Sequence, residues 1–85
     1  MQSDWYVYIL QCGDGSLYTG VTNNLAVRIL NHQSGQGAKY TRSHLPVKLV
    51  FSEAQADKFA AYRREAEIKN FPRVEKISLI KAHLS

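Results

Sequence analysis

The first quarter of the chain contains two short runs of strand-forming residues separated by a turn signal. Residues 5–12 are rich in aromatic and β-branched side chains, and residues 17–22 form a second such run. Both compositions favour β-strands. The intervening Gly13-Asp14-Gly15 is a strong turn signal. This pattern predicts a β-hairpin at the start of the domain.

The length of the hairpin loop decides which strand residues share a face. A two-residue loop would place Tyr8 and Tyr18 on opposite faces, because side chains alternate along a strand. A three-residue loop over residues 13–15 pairs Leu10 with Tyr18 and makes the two tyrosines diagonal neighbours. Asp14 followed by a glycine suits a type I turn with a bulge, so we expect the three-residue loop. Two half-buried strand tyrosines without a chemical role would satisfy the same pattern.

A helical pattern follows the hairpin. Asn23 or Asn24 can cap a helix over residues 23–34, and glycines just beyond residue 34 can end it. The apolar face of this helix carries Leu25, Ala26, Ile29 and Leu30. Residues 35–46 are basic and contain glycine, so we expect them to form a loop.

The second half of the chain predicts one more strand and two more helices. Residues 47–52 are typical of a strand that starts after Pro46. Residues 55–71 are Ala-rich and charged, which favours a helix, and Pro72 can begin the first turn of another. That last helix carries Val74, Ile77, Ile80 and Leu84. The predicted fold class is α/β (α+β), a single domain over residues 1–85. Its small, mainly antiparallel three-stranded sheet is flanked by three helices in the order β-β-α-β-α-α.

Composition narrows the class of protein. Eighty-five residues form one domain with a small core. No apolar run approaches the roughly 20 residues that span a bilayer, so no membrane association is expected. The start, Met1-Gln2-Ser3-Asp4, lacks a basic n-region, so no signal peptide is expected. Cys12 is the only cysteine, which excludes an internal disulfide and fits a reducing, cytoplasmic location. We interpret Cys12 as a small structural hydrophobe.

Charge is distributed unevenly along the chain. The formal net charge is +4, and no acidic residue occurs between Asp14 and Glu53. That stretch contains Arg28, Lys39, Arg42 and Lys48. A one-sided positive field suits a polyanion such as nucleic acid. A surface that is basic without a partner is the alternative.

Two polar residues of the first predicted helix are candidates for chemistry. Arg28 and His32 are four residues apart and therefore neighbours on one helix face. They lie at the edge of the apolar stripe, so we expect both to be semi-exposed beside the sheet. Arg28 can contact a phosphate bidentately, and His32 can relay a proton near neutral pH. A solvated arginine and a helix-capping histidine are the alternatives.

Glu65 interrupts a mainly apolar stripe of the second predicted helix. A carboxylate in such a place is costly unless it is paired or binds a metal. Pairing with Lys69, one turn later, is the structural alternative. The functional interpretation is a Mg²⁺ ligand, because Mg²⁺ often takes only one or two protein carboxylates.

These motifs, taken in order, resemble the GIY-YIG nuclease superfamily and its small stand-alone bacterial members. The resemblance covers roughly residues 5–80, and the joint order of the motifs is far more specific than any one of them. Tyr6 and Val7 replace the Gly and Ile of the first signature, and Thr19 replaces the Ile of the second. The matching segments are Tyr6-Val7-Tyr8, Tyr18-Thr19-Gly20, Asn24-Leu25 with Arg28 and His32, Gly37 to Arg42 with Pro46-Val47-Lys48, and Ala61 to Glu65.

The resemblance implies a metal-dependent endonuclease acting on DNA, with RNA left open as a substrate. Glu65 would hold one Mg²⁺ or Mn²⁺ ion at the scissile phosphate. Tyr8 would activate the attacking water, Tyr18 would position it, and Arg28 would neutralise the transition state. His32 would share the proton transfer. The ordinary pKa of tyrosine, near 10, is too high for an efficient base at neutral pH, so this role requires the metal or Arg28 to lower it.

So short a chain has few residues that could give specificity for a nucleic-acid substrate. Many relatives carry an attached DNA-binding module, whereas here Lys39, Tyr40 and Arg42 are the best candidates for nucleic-acid contacts, offering charge and a stacking ring. Packing of Tyr40 over the sheet edge is the alternative for that residue. We expect weak, salt-sensitive, structure-directed binding and no small-molecule cofactor. Two other functions remain open: a nucleic-acid-binding module without turnover, and an interaction subunit that needs a protein partner for targeting.

Overall fold

A computed structural model describes residues 4–84 of the chain. Met1 to Ser3, in the segment where no signal peptide is expected, lie outside the described residues. Within residues 4–84, no helix is long and apolar enough to cross a membrane. The helices and strands, in chain order, are β1 (Trp5–Gln11), β2 (Leu17–Thr22), α1 (Leu25–Gln33), α2 (Lys39–Arg42), β3 (Lys48–Gln55), α3 (Lys58–Lys69) and α4 (Arg73–Leu84).

β1 is the central strand of the antiparallel sheet, whose order is β2-β1-β3. Its four middle residues are wholly buried, which explains why this run is apolar almost without interruption. Alternation along the strand sends Val7 and Ile9 to one face and Tyr8 and Leu10 to the other. The sheet therefore has a packing face and a second face that carries Tyr8.

The main core lies between the sheet and the two C-terminal helices. Val7, Ile9 and Phe51 pack against Ala61 and Ile68 of α3. Trp5, Phe71, Leu79 and Ile80 cover the edges of this cluster. Burying each large apolar side chain contributes about 1.5–3 kcal/mol. A smaller cluster, Leu10, Cys12 and Val47, lies on the other face. Cys12 is buried there, as expected for a structural residue.

The hairpin has the predicted three-residue loop. Leu10 is paired with Tyr18, and the Cys12 amide donates to the Ser16 carbonyl oxygen over 2.8 Å. Gly15 has a φ of 86°, a conformation that glycine adopts without strain. Tyr8 and Tyr18 consequently share a face, with ring centroids 6.5 Å apart.

Side-chain caps set the start of the two helices that flank the site. The Asn24 side chain accepts from the Val27 amide over 3.3 Å, so Asn24 rather than Asn23 begins α1. The Asp57 carboxylate accepts from the Ala60 amide over 2.8 Å at the start of α3. Each cap satisfies a backbone amide that the helix itself leaves unpaired.

The predicted fold class is confirmed, with three local corrections. The expected loop over residues 35–46 contains the four-residue helix α2, which is too short to produce a periodic pattern. The third strand extends to Gln55 rather than ending at residue 52. The predicted apolar face of α1 is only partly covered. Ile29 packs against the smaller cluster, whereas Leu30 is 65% exposed and His32 is buried instead. Leu30 instead borders an open groove with Tyr6 of β1.

Candidate active site

Three rings from three different elements meet on the second face of the sheet. Tyr8 comes from β1, Tyr18 from β2 and His32 from α1. The His32 ring lies 5.7 Å from Tyr8 and 5.4 Å from Tyr18, measured between centroids. The hairpin register and the position of α1 thus bring together three of the five residues predicted to be catalytic.

A chain of hydrogen bonds runs through this cluster. The Tyr8 hydroxyl lies 2.8 Å from Nε2 of His32, and Nδ1 of the same ring lies 2.8 Å from Oγ1 of Thr41. Thr41 in turn donates its hydroxyl proton to the Ala38 carbonyl oxygen over 2.9 Å. Tyr8, His32 and Thr41 are each 0% exposed. Burial of these polar groups is tolerable because each has a partner.

His32 differs from its sequence-based description in one respect. It was expected to be semi-exposed, and the full burial of its ring shows that expectation to be wrong. The reason is tertiary: Gly37 and Thr41, in the segment after α1, lie against the ring, and a helical wheel of α1 cannot show these contacts. Arg28, one turn earlier, is exposed as a phosphate-binding residue would need to be.

Two glycines make room for the hydrogen-bonded groups. A Cβ atom at Gly20 would lie 2.4 Å from the Tyr8 hydroxyl oxygen. A Cβ atom at Gly37 would lie 2.3 Å from Nδ1 of His32. Real Cβ atoms do not approach other atoms so closely, so any larger residue at either position must displace the ring it faces. The glycine of the second signature therefore has a direct steric role beside Tyr8.

The surroundings shift the acidities of Tyr8 and His32 in opposite directions. Burial raises the pKa of Tyr8 to about 12, the charges of Tyr18 and Glu65 add to the rise, and Arg28 opposes it. Burial, followed by the positive charge of Arg28, lowers the pKa of His32. Arg28 does lower the pKa of Tyr8, but the loss of solvent outweighs the guanidinium, so the net shift is upward. At neutral pH, Tyr8 is a neutral phenol beside a neutral imidazole.

Glu65 forms the ion pair that its structural alternative predicted, and its charge also reaches Tyr8. Its side chain on α3 is 19% exposed, and Oε2 lies 3.3 Å from Nζ of Lys69, the predicted ion pair. Its charge also acts on Tyr8, which places it beside the tyrosine cluster. Glu67, by contrast, pairs with Arg64 on the solvent side, so the two glutamates of α3 have separate environments.

The donor set around Glu65 is sparse. Among residues 4–84 there is no cluster of three or more His, Cys, Asp or Glu side chains able to enclose a metal ion. One hard carboxylate in a partly open position suits an ion that keeps most of its waters and bridges to a phosphate, as Mg²⁺ does. The residues present therefore fit a cation held jointly by protein and substrate.

The three predicted nucleic-acid contacts all lie on α2. Lys39 and Arg42 are exposed. The Tyr40 ring stacks on His44 at 4.2 Å and on Tyr18 at 6.2 Å, and its hydroxyl donates to the Ser16 hydroxyl over 2.7 Å. Tyr40 thus packs over the end of the hairpin, as the structural alternative predicted, while remaining 41% exposed.

Several residues near the site were not identified from the sequence. Thr41 reaches His32 across nine residues, within a segment predicted to be a loop. Lys76 of α4 lines a groove beside the site with Tyr18, Tyr40 and Lys69, and the sequence had identified Lys69 only as a partner of Glu65. The spacing of residues along the sequence does not predict such tertiary contacts. The only sequence signal for Thr41 was its place inside the matching segment from Gly37 to Arg42.

Comparison with known proteins finds a matching family and relatives that cover most of this chain. A family model described as the GIY-YIG catalytic domain matches residues 4–76. The chain is 52% identical over 75 residues to a UPF0213 protein of Staphylococcus haemolyticus, covering 88% of this chain and 92% of that protein. It is 49% identical over 80 residues to a UPF0213 protein of Natronomonas pharaonis, covering 94% of each.

Solved structures resemble the fold as well. The solution NMR structure of a UPF0213 protein from Bacillus halodurans has a TM-score of 0.60 and 47% identity, covering 92% of this chain and 83% of that one. The solution NMR structure of a protein from E. faecalis has a TM-score of 0.63 and 37% identity, covering 100% and 94%. The family model and the relatives together span most of the sequence, and this chain therefore belongs to the GIY-YIG family of nucleases.

Proposed function

We propose that this protein is an endonuclease that hydrolyses phosphodiester bonds in DNA, with low sequence specificity, in DNA repair or processing in the cytoplasm. The observation that carries the proposal is the buried hydrogen bond between Tyr8 and His32, with Tyr18, Arg28 and Glu65 around it. A buried phenol–imidazole pair next to a cation and a carboxylate is suited to proton transfer at a phosphate.

The pair can activate water without forming a free phenolate. As the Tyr8 oxygen takes a proton from the attacking water, its own proton passes across the 2.8 Å hydrogen bond to His32. Tyr8 remains neutral and the imidazole becomes imidazolium. This route fits the raised pKa of Tyr8, because a phenol with a pKa of about 12 is rarely ionised at neutral pH. Tyr18, on the same face, would orient the water.

Arg28 and Glu65, the latter through a metal ion that it holds, would stabilise the negative charge of the phosphate. The exposed Arg28 guanidinium can make two parallel hydrogen bonds to phosphate oxygens and stabilise the charge that develops in the transition state. Glu65 would hold one Mg²⁺ or Mn²⁺ ion, and GIY-YIG nucleases generally depend on a divalent metal. When bound, such an ion would supply Lewis-acid stabilisation at the phosphate. Lys69 would have to leave the Glu65 carboxylate oxygen that it contacts here.

The proposed substrate path follows the basic residues on either side of the site. Lys39 and Arg42 on α2 offer exposed positive charge. The groove between Tyr18, Tyr40, Lys69 and Lys76 offers further charge beside two tyrosine rings. These are backbone and stacking contacts, which do not read base sequence, so the substrate is expected to be selected by its shape.

The test is cleavage of labelled duplex, single-stranded and branched DNA, with matching RNA, at low salt with Mg²⁺, Mn²⁺ or chelator. Glu65→Gln should lower cleavage by about 100-fold or more, as when an electrostatic stabiliser is removed. Glu67→Gln is the matched control, because it changes a glutamate of the same helix that pairs outward with Arg64. It should cleave like the parent.

Each negative result has a distinct meaning. Equal cleavage by Glu65→Gln and the parent would refute the role of Glu65. Binding without metal-dependent cleavage by the parent would indicate a binding module instead of a nuclease. Absence of binding to every nucleic acid at low salt would indicate an interaction subunit.

A further inference from the structure

We infer that Thr41 is a positioning residue that fixes the tautomer of His32, so that Nε2 faces Tyr8 without a proton. This inference deepens the proposed function, since it assigns the group that prepares His32 to accept a proton. It also makes a claim about the resting protein that does not depend on turnover.

The direction of one hydrogen bond determines the others. A threonine hydroxyl has a single proton, and that of Thr41 points to the Ala38 carbonyl oxygen, 2.9 Å away. Oγ1 must therefore accept from the ring nitrogen 2.8 Å away, which makes Nδ1 of His32 the protonated nitrogen. A neutral imidazole has only one N–H, so Nε2 is left as an acceptor. The Tyr8 hydroxyl then donates to Nε2.

The opposite tautomer fits this site poorly. A bare Nδ1 would need the Thr41 proton, and two oxygens, Oγ1 and the Ala38 carbonyl, would then face each other at 2.9 Å without a hydrogen between them. Tyr8 would have to accept from Nε2–H, leaving the phenol proton without its acceptor. Tyr8, His32 and Thr41 are fully buried, so water is not at hand to replace a lost partner.

The backbone before Thr41 is adapted to this contact. Gly37 passes so close to Nδ1 that a Cβ atom there would lie 2.3 Å from it. Ala38 is extended and α2 begins at Lys39, which brings the Thr41 side chain back onto the ring as part of the first helical turn. The segment thus delivers one hydroxyl to one edge of the imidazole and leaves the other edge to β1.

The surroundings of His32 favour its neutral form, the only form in which one ring nitrogen is left as an acceptor. Burial lowers the pKa of His32, and the positive charge of Arg28 on the same helix adds to the effect. The other ionisable groups whose rings face it are Tyr8 from β1 and Tyr18 from β2. Thr41 from α2 is uncharged. None of these neighbours offers a carboxylate that would favour the imidazolium.

The decisive experiment is ¹⁵N NMR of the histidine rings in labelled protein at neutral pH, with His32→Gln used to assign the His32 signals. The parent should show a protonated Nδ1 and an unprotonated Nε2. Thr41→Ser, which keeps the hydroxyl, should give the same pattern. Thr41→Val, which keeps the shape and removes the hydroxyl, should shift both signals towards the other tautomer while the backbone spectrum stays folded.

Kinetics provide the second readout. Thr41→Val should lower kcat by at least about tenfold with little change in KM, since Thr41 acts through the histidine and not on substrate, and Thr41→Ser should restore it. A protonated Nε2 in the parent, or an unchanged tautomer in folded Thr41→Val, would overturn the inference. Because the NMR pattern is measured without substrate, a parent that fails to cleave nucleic acid would refute the proposed function and leave the tautomer claim to be judged separately.

Discussion

At the scale of single residues, Tyr8, the candidate catalytic tyrosine, depends on Gly20, a residue that has no side chain. The Tyr8 hydroxyl reaches His32 by passing over Gly20 of the neighbouring strand, in the space where any other residue would have its Cβ atom. The backbone of β2 is thereby part of the site. Flexibility is not the reason for this glycine, because the requirement is clearance beside a buried ring.

Gly20→Ala should disrupt the site from the strand side. The methyl group has to push the Tyr8 ring away, which should cost about 1–3 kcal/mol of the free energy of unfolding, as overpacking does. Cleavage should fall by about tenfold or more, because general base catalysis contributes about 10²–10⁴-fold. Urea denaturation and initial cleavage rates measure the two effects.

Gly15→Ala is the control for Gly20→Ala. It places a side chain at a φ of 86° with nothing within 4 Å, so it should cost about 1–2 kcal/mol through backbone strain alone. Its cleavage rate should match the parent at a temperature where both are folded. Parental stability and cleavage in Gly20→Ala would contradict the steric role.

Residue identity was predictable where the chemistry is encoded locally. Tyr8, Tyr18, Arg28, His32 and Glu65 were named from spacing and family resemblance. The structure brings all five near one another through ring contacts or charges, and their catalytic roles stay predictions. Thr41 and Gly37 were not identified, because their roles exist only after α2 has folded over α1. Steric clearance and hydrogen-bond direction are properties of tertiary structure.

At the scale of elements, His32 joins three parts of the fold. It belongs to α1, bonds Tyr8 of β1 through one nitrogen and bonds Thr41 of α2 through the other. α2 is a single turn that is held to the rest of the fold by this hydrogen bond and by the Tyr40 ring, which stacks on Tyr18. Protonation would force a charge into the junction and remove the acceptor for Tyr8.

The stability of this junction should therefore depend on pH. The folded-state pKa of His32 is lowered by burial and by Arg28, so the unfolded chain binds a proton at a higher pH than the folded protein. The free energy of unfolding should decrease as pH falls below about 6.5, the ordinary pKa of histidine, towards the lower folded value. Urea denaturation at pH 7.5 and at acid pH values down to about 5 measures this loss.

His32→Gln separates this effect from other titrations. Glutamine cannot take up the proton, so the variant should be less stable at pH 7.5 but should lose less stability between pH 7.5 and 5 than the parent does. Asp14, whose pKa is lowered by hydrogen bonds from Ser16, contributes only at pH values near or below 3.8, outside this window. An equal loss of stability in both proteins would rule out His32 as the titrating group.

Elements were predicted to the extent that they have a repeating pattern. The hairpin loop was correct to the residue, since Asp followed by glycine specifies a turn chemically. The helix α2, with four residues, is too short to show the roughly 3.6-residue hydrophobic period of a helix. The apolar pattern of α1 identified a helix but not which side the sheet covers, which is why Leu30 is exposed and His32 buried.

At the scale of the whole molecule, the basic surface is assembled from both halves of the sequence. The acid-free stretch contributes Arg28, Lys39 and Arg42, as the charge pattern predicted. The groove beside Tyr18 and Tyr40 also receives Lys69 and Lys76, which come from helices outside the acid-free stretch. Net charge along the chain therefore understates the field near the site, because folding turns these two lysines towards it.

Lys76→Gln tests whether nucleic acid follows this groove. If Lys76 contacts a phosphate, the slope of log binding constant against log salt concentration should become shallower by about one, with a similar loss across base sequences. Lys81→Gln is the matched control, because Lys81 lies on the same helix but borders a different groove with Val50 and Ile77. Binding is measured by fluorescence anisotropy in chelator, so that cleavage does not intervene.

Because both substitutions remove the same charge from α4, a general field would weaken binding equally in the two variants, and that result would exclude the groove as the substrate path. A change of slope confined to Lys76→Gln would assign a phosphate to it and extend the site from the sheet face onto the last helix.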